Sequence, residues 1–98
     1  MSKHTLMVPV KVKPGCSAEF ENLLSEVIAN TRKEAGCVYY RTFKISDTEY
    51  FFIEEWADDQ VMEAHNNAAH LKTFLTAIEP LVEGELTDTA LTEMFADL

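Results

Sequence analysis

The stretch CVYYRTFKISDTEYFFIEEW, residues 37–56, reads as a β-hairpin, and the fold follows from it. Its two arms, 37–45 and 49–56, are rich in β-branched and aromatic residues, which suit a pleated, half-buried surface. Ser46-Asp47-Thr48 between them is polar and turn-prone. Successive strand side chains point to opposite faces, so Tyr50, Phe52, Glu54 and Trp56 share one face and Phe51, Ile53 and Glu55 the other. Both faces are too apolar for open water, so each needs a cover.

Working outward, Leu6, Val8, Val10 and Val12 alternate with Thr5, Met7, Pro9 and Lys11, a first strand with a period of two. Pro9 cannot donate to a sheet ladder and implies an edge or a bulge there. Pro14-Gly15 ends the strand. From Ser17 the period changes, with Phe20, Leu23, Leu24, Val27 and Ile28 forming the apolar stripe of an amphipathic helix. The helix is expected from Ser17 as N-cap to about Ala35, with Gly36 closing it. After the hairpin, Asp58 can cap a short helix holding Val61, Met62, Ala64 and His65. Asn66-Asn67 interrupts it, and a further helix carries Leu71, Phe74, Leu75 and Ile78 as far as Pro80. A last strand is expected over 86–95.

The order β-α-β-β-α-α-β predicts an α+β fold of the ferredoxin-like plan, an antiparallel sheet with helices on one face. The opposite sheet face is then free to meet a second copy, and a homodimer is expected. The 98 residues suffice for one domain, 1–98, with one modest core, and an apolar content of 47% sets the chain apart from disordered tails.

Charge and motif content narrow the function. A net charge of −9 with no cluster of Lys or Arg predicts no nucleic-acid partner and no anionic membrane surface. No apolar run reaches the ~18 residues of a membrane span. No basic-then-apolar leader opens the chain, and Cys16 and Cys37 are too few for a disulfide framework, so the expected compartment is the reducing cytoplasm. The three histidines, His4, His65 and His70, show no HExxH or paired Cys/His spacing, so no metal site is predicted. No nucleophile elbow or Gly-rich phosphate loop is present, and no cofactor motif is found.

What remains is Glu54-Glu55-Trp56 at a strand end, with His65 and His70 beyond it. Histidine titrates near neutrality and suits proton transfer. Trp56 offers a flat apolar face and one indole donor, and Glu54 beside it can serve as an ionised acceptor or, if buried, as a protonated acid. The structural alternatives are a core plug for Trp56 and a helix cap or solvated residue for the histidines.

Lys13-Pro14-Gly15, the helix with Phe20 and Leu24, Arg32-Lys33-Glu34-Ala35-Gly36-Cys37, Tyr40, Phe52, Glu54-Glu55-Trp56, His65, His70 and Phe74 together resemble the antibiotic biosynthesis monooxygenase family over nearly the whole chain. The resemblance implies a dimeric α/β barrel with a pocket between sheet and helices. It further implies oxidation of a small quinol-like or polyketide-like aromatic substrate by molecular oxygen, without metal or organic cofactor. It puts His65 forward as the catalytic base, with His70 as second catalytic residue. Trp56 becomes the ring contact, and Tyr40, Glu54, Asn66 and Phe74 further substrate contacts. Asn66 alternatively caps the next helix. The haem-degrading branch fits poorly, since residues 4–13 hold no Asn and Trp56 is the single Trp. Two other readings stand beside the oxygenase: an isomerase of a small signalling metabolite, and a non-catalytic dimeric ligand-binding module. An enzyme requires His65 at a cavity, whereas a bare structural module would fill that space with Met62, Phe74 and Leu75.

Overall fold

A computed structural model describes residues 3–98. In chain order the elements are β1 (His4–Lys11), α1 (Ser17–Thr31), β2 (Cys37–Ser46), β3 (Glu49–Trp56), α2 (Asp59–Asn66), α3 (Ala69–Ile78), a 3₁₀ turn (Glu79–Leu81) and β4 (Thr89–Leu91). The sheet is antiparallel in the order β2-β3-β1-β4, the ferredoxin-like arrangement expected from the element order.

The alternation along β3 sets the two layers. Tyr50, Phe52, Glu54 and Trp56 are buried, while Phe51, Ile53 and Glu55 on the opposite face are only partly covered. Val8 and Val10 lie opposite Phe52 and Tyr50 in β1, and Tyr40 lies opposite Glu54 in β2, so one face gathers the core. The helices lie over that face. Phe20 of α1 is 4.8 Å, ring centre to ring centre, from Tyr50 and 6.2 Å from Phe74 of α3. Phe20, Leu24 and Val27 are buried as the helical stripe predicts, and Ile28 packs at the core's margin. Leu24→Ala should therefore lower stability by about 2–5 kcal/mol, read from the urea midpoint. A loss near zero would contradict the packing.

Several boundaries differ from expectation. The chain leaves Pro14-Gly15 one residue early, so Cys16 is the N-cap of α1 and Ser17 its first helical residue; Phe20 N–H donates to the Cys16 carbonyl. At the other end α1 stops at Thr31 rather than near Ala35, and a tight turn follows in which Glu34 N–H donates to the Thr31 carbonyl and Cys37 N–H to that of Glu34. Gly36 completes this turn with φ +81°, and a Cβ there would stand 2.6 Å from both methyls of Val61, so only glycine fits. Asp58 caps α2 as predicted, accepting from Val61 N–H at 2.9 Å. Pro9 is tolerated because β4 pairs with β1 only at Thr5, Leu6 and Met7, leaving the outer edge of β1 open beyond them. The last strand is Thr89–Leu91 alone: residues 86–88 border a cavity instead of joining the sheet.

Over the second face no helix is packed among the described residues. Phe43 stacks on Phe51 at 5.2 Å, the Arg41 guanidinium lies 4.8 Å over the Tyr39 ring, and Ile45 is 64% exposed.

Candidate active site

Between the core face of the sheet, α2, α3 and residues 86–88 lies a cavity of about 510 Å³. Its wall is largely apolar, with Val8, Phe52, Leu71, Phe74, Leu75 and Leu86, interrupted by Tyr40, Glu54, His65, Asn66, Thr87 and Asp88. Phe74 and Leu75 border this space rather than fill it.

His65 is the best-fixed of the polar groups. It is 2% exposed near the end of α2. Its ring stacks on Trp56 at 4.3 Å and 29° between planes, and Tyr40 meets it edge-on at 5.6 Å. Nδ1 lies 2.8 Å from Oε2 of Glu34, and the same oxygen lies 2.9 Å from Nε2 of His70. A carboxylate only accepts, so each of these ring nitrogens carries a proton and donates it to Glu34. Neutral His65 then has its lone pair on Nε2, the ring nitrogen away from Glu34. The stacked indole and the carboxylate fix both the plane and the tautomer of the imidazole.

Glu54 presents a second kind of group. Trp56 Nε1–H donates to its Oε1 at 3.1 Å. Burial pushes the Glu54 carboxyl above the ordinary carboxylate range; the indole bond and His65 oppose that push, and Asp88 and Glu34 reinforce it. Burial, then the neighbouring Glu54, also holds the Tyr40 phenol well above its usual value, so Tyr40 stays a neutral donor. A carboxyl whose folded value is raised stabilises the fold fully below the unfolded value, and that contribution is lost as pH rises through the raised one. Glu54→Gln, whose amide oxygen can still accept from Trp56, should therefore raise the melting midpoint at pH 8. The gain should shrink to nothing near pH 4, by thermal unfolding at both pH values. An equal gain at both would contradict the burial argument.

Of the residues singled out in the sequence, the structure brings Tyr40, Glu54, His65, Asn66 and Phe74 to the cavity wall. It does not bring Trp56 or His70 there. Trp56 is fully buried behind His65, so its flat face meets the imidazole instead of the expected ligand ring. His70 points to Glu34 and borders a separate cleft of about 270 Å³ with Glu26 and Asn30 of α1. Among the residues the sequence did not single out are two acidic ones, Asp88 on the wall and Glu34 behind His65. Asp88 precedes β4 in a stretch read as strand. Glu34 sits where the helix was expected to run on, and its signal was present: Phe20, Leu24, Val27, Thr31 and Glu34 continue one 4-3-4-3 stripe into the core.

Spacing in the chain does not reveal one grouping that the fold makes. Glu34, His65 and His70 offer three ligand atoms within 4.8 Å of one another, although 31 residues separate the first two in the chain.

This fold has known counterparts. The chain belongs to the antibiotic biosynthesis monooxygenase family, whose model matches residues 4–77. Among curated proteins it is 31% identical over 91 residues to "Putative monooxygenase YcnE" of Bacillus subtilis (strain 168), covering 91% of this chain and 95% of that one. Among solved structures it is similar to PA3566 from Pseudomonas aeruginosa, with 27% identity, a TM-score of 0.85 and 96% of each chain covered. SnoaB, a cofactor-independent oxygenase from Streptomyces nogalater, shares the fold at a TM-score of 0.82 and 19% identity, over 98% of this chain and 99% of that one. No helix among the described residues is long and apolar enough to cross a membrane.

Proposed function

We propose that the protein is a cofactor-independent monooxygenase of a small, uncharged quinol-like or polyketide-like aromatic, with His65 as its base. The observation that carries this reading is the buried His65 at the edge of an apolar cavity, with Nδ1 held by Glu34 and Nε2 left to accept. Family membership and the oxygenase fold of SnoaB support it. The cavity's size suits a small ring system, and its two carboxyl groups, Glu54 and Asp88, disfavour an anionic ligand.

The chemistry needs only what the wall offers. Nε2 of His65 takes a proton from the substrate, leaving an electron-rich anion. Tyr40 and Asn66 donate hydrogen bonds to the charge that develops on substrate oxygen. The anion passes an electron to molecular oxygen, and the resulting pair combines at carbon. For an anthrone-type methylene the balance is R₂CH₂ + O₂ → R₂C=O + H₂O: one oxygen atom enters the carbonyl, and the other leaves as water with the two hydrogens. Oxygen uptake on a panel of quinols and anthrones tests the reading. No uptake with any of them would favour the binding module or the isomerase.

The open sheet face is assigned to a second copy. Pairing through Phe43, Phe51, Ile53 and Tyr39 would cover on the order of 1,200 Å² or more. Sedimentation at micromolar concentration should give twice the 11.1 kDa of the chain, and a monomer would overturn the pairing. The free thiols Cys16 and Cys37 suit a reducing cytoplasm, the compartment assigned here.

A further inference from the structure

We propose that Glu34, His65 and His70 form a binding site for a divalent first-row transition ion of the zinc type. The three ligands come from separate elements, the turn after α1, α2 and α3, and their ligand atoms converge to within 4.8 Å of one another. Two imidazoles and one carboxylate are the donor set that zinc takes when a fourth position is left for water. Imidazole nitrogen disfavours calcium and magnesium, which take oxygen ligands.

The geometry is close to what an ion needs. Tetrahedral zinc with bonds near 2.1 Å sets neighbouring ligand atoms about 3.3 Å apart. The Glu34 oxygen stands 2.8 and 2.9 Å from the two ring nitrogens and all three ligand atoms lie within 4.8 Å of one another, so the carboxylate draws back and the two nitrogens close on each other as the ion replaces the two shared protons. Access also differs among the three side chains. His65 is 3% exposed, Glu34 17% and His70 25%, so an ion arrives from the His70 side, through the cleft that Glu26 and Asn30 border. The net charge of −9 and the carboxylate of Glu26 favour a cation there.

The consequence for the cavity rests on the reading of His65 as base. A neutral imidazole carries one proton. An ion on Nδ1 moves that proton to Nε2, the cavity-side atom becomes a donor, and proton abstraction stops. The ion is therefore an inhibitor, not a cofactor.

Zinc and, separately, calcium are titrated calorimetrically into the purified protein without substrate. The expected result is one zinc per chain at micromolar Kd, about tenfold or weaker binding in Glu34→Gln and in His70→Ala, and no calcium at this site. Zinc bound equally well by both variants, or no zinc binding tighter than millimolar, would overturn the site. A second measurement needs no variant: imidazole ¹⁵N shifts on adding zinc should change at Nδ1 of His65 and Nε2 of His70. Unchanged shifts at these atoms with zinc bound would place the ion elsewhere and overturn the proposal. Oxygen uptake should fall with the same midpoint as zinc binding, and full turnover at saturating zinc would overturn the inhibitory role. Zinc binding at the three residues in a protein that consumes no oxygen would leave the ion site standing and remove the oxygenase reading.

Discussion

Replacing His65 with Ala should lower the rate of substrate-dependent oxygen uptake by roughly 10²–10⁴-fold, the usual contribution of a positioned general base. The effect should fall on kcat, because the ring is held by Glu34 and Trp56 and gives the cavity only one polar atom. His65 is also a packed side chain, 2% exposed, so the variant's melting midpoint has to be read beside its rate. Added imidazole separates the two effects. A ring that enters the space left by the side chain restores proton abstraction and part of the rate, whereas a misfolded variant gains nothing. Full turnover in His65→Ala would remove His65 from the chemistry. Glu34→Gln provides the graded counterpart. Its amide can present N–H to Nδ1 and favour the other tautomer, so turnover should fall while substrate affinity changes little.

The second large effect is on stability. Trp56→Ala should cost about 3–5 kcal/mol, the range for emptying a fully buried aromatic site. The indole is wholly buried and stacked on His65, and it donates the hydrogen bond that Glu54 receives at 3.1 Å. Its loss therefore leaves a cavity, a looser imidazole and a buried carboxyl without its donor. Trp56→Phe retains a ring against His65 but removes the N–H, so it should cost less and push the Glu54 carboxyl further up. Urea unfolding of the two variants checks the order, and a Phe variant as unstable as the Ala variant would contradict it.

The strands' faces were legible in the sequence because a period of two assigns every side chain of β3 to a side, and the structure keeps each assignment. Depth was not legible. Periodicity places Trp56 on the core face but does not say whether a cavity or another side chain lies above it, and the answer depends on where α2 crosses. His65 was found because it is one of three histidines and follows the Glu-x-Trp strand. Glu34 escaped because a charged residue after the last apolar position of a helix ordinarily faces water; only the stripe from Phe20 through Thr31 pointed it inward. His70 was grouped with His65 by nearness in sequence, yet the break at Asn67 and Ala68 turns α3 so that its ring approaches Glu34 from outside the cavity. The extent of β4 was misjudged because weak alternation over 86–95 carries no mark of where pairing begins.

The short β4 has a consequence for how a ligand comes and goes. Residues 86–88 form the outer part of the cavity wall, and the strand that anchors them pairs at three positions with every residue exposed. Opening this margin breaks few ladder bonds, whereas the rest of the wall belongs to a helix or to one of the longer strands β1, β2 and β3. On the reading of this cavity as a substrate site, a bound molecule should leave by fraying at the rim, with the imidazole at the cavity's base keeping its orientation.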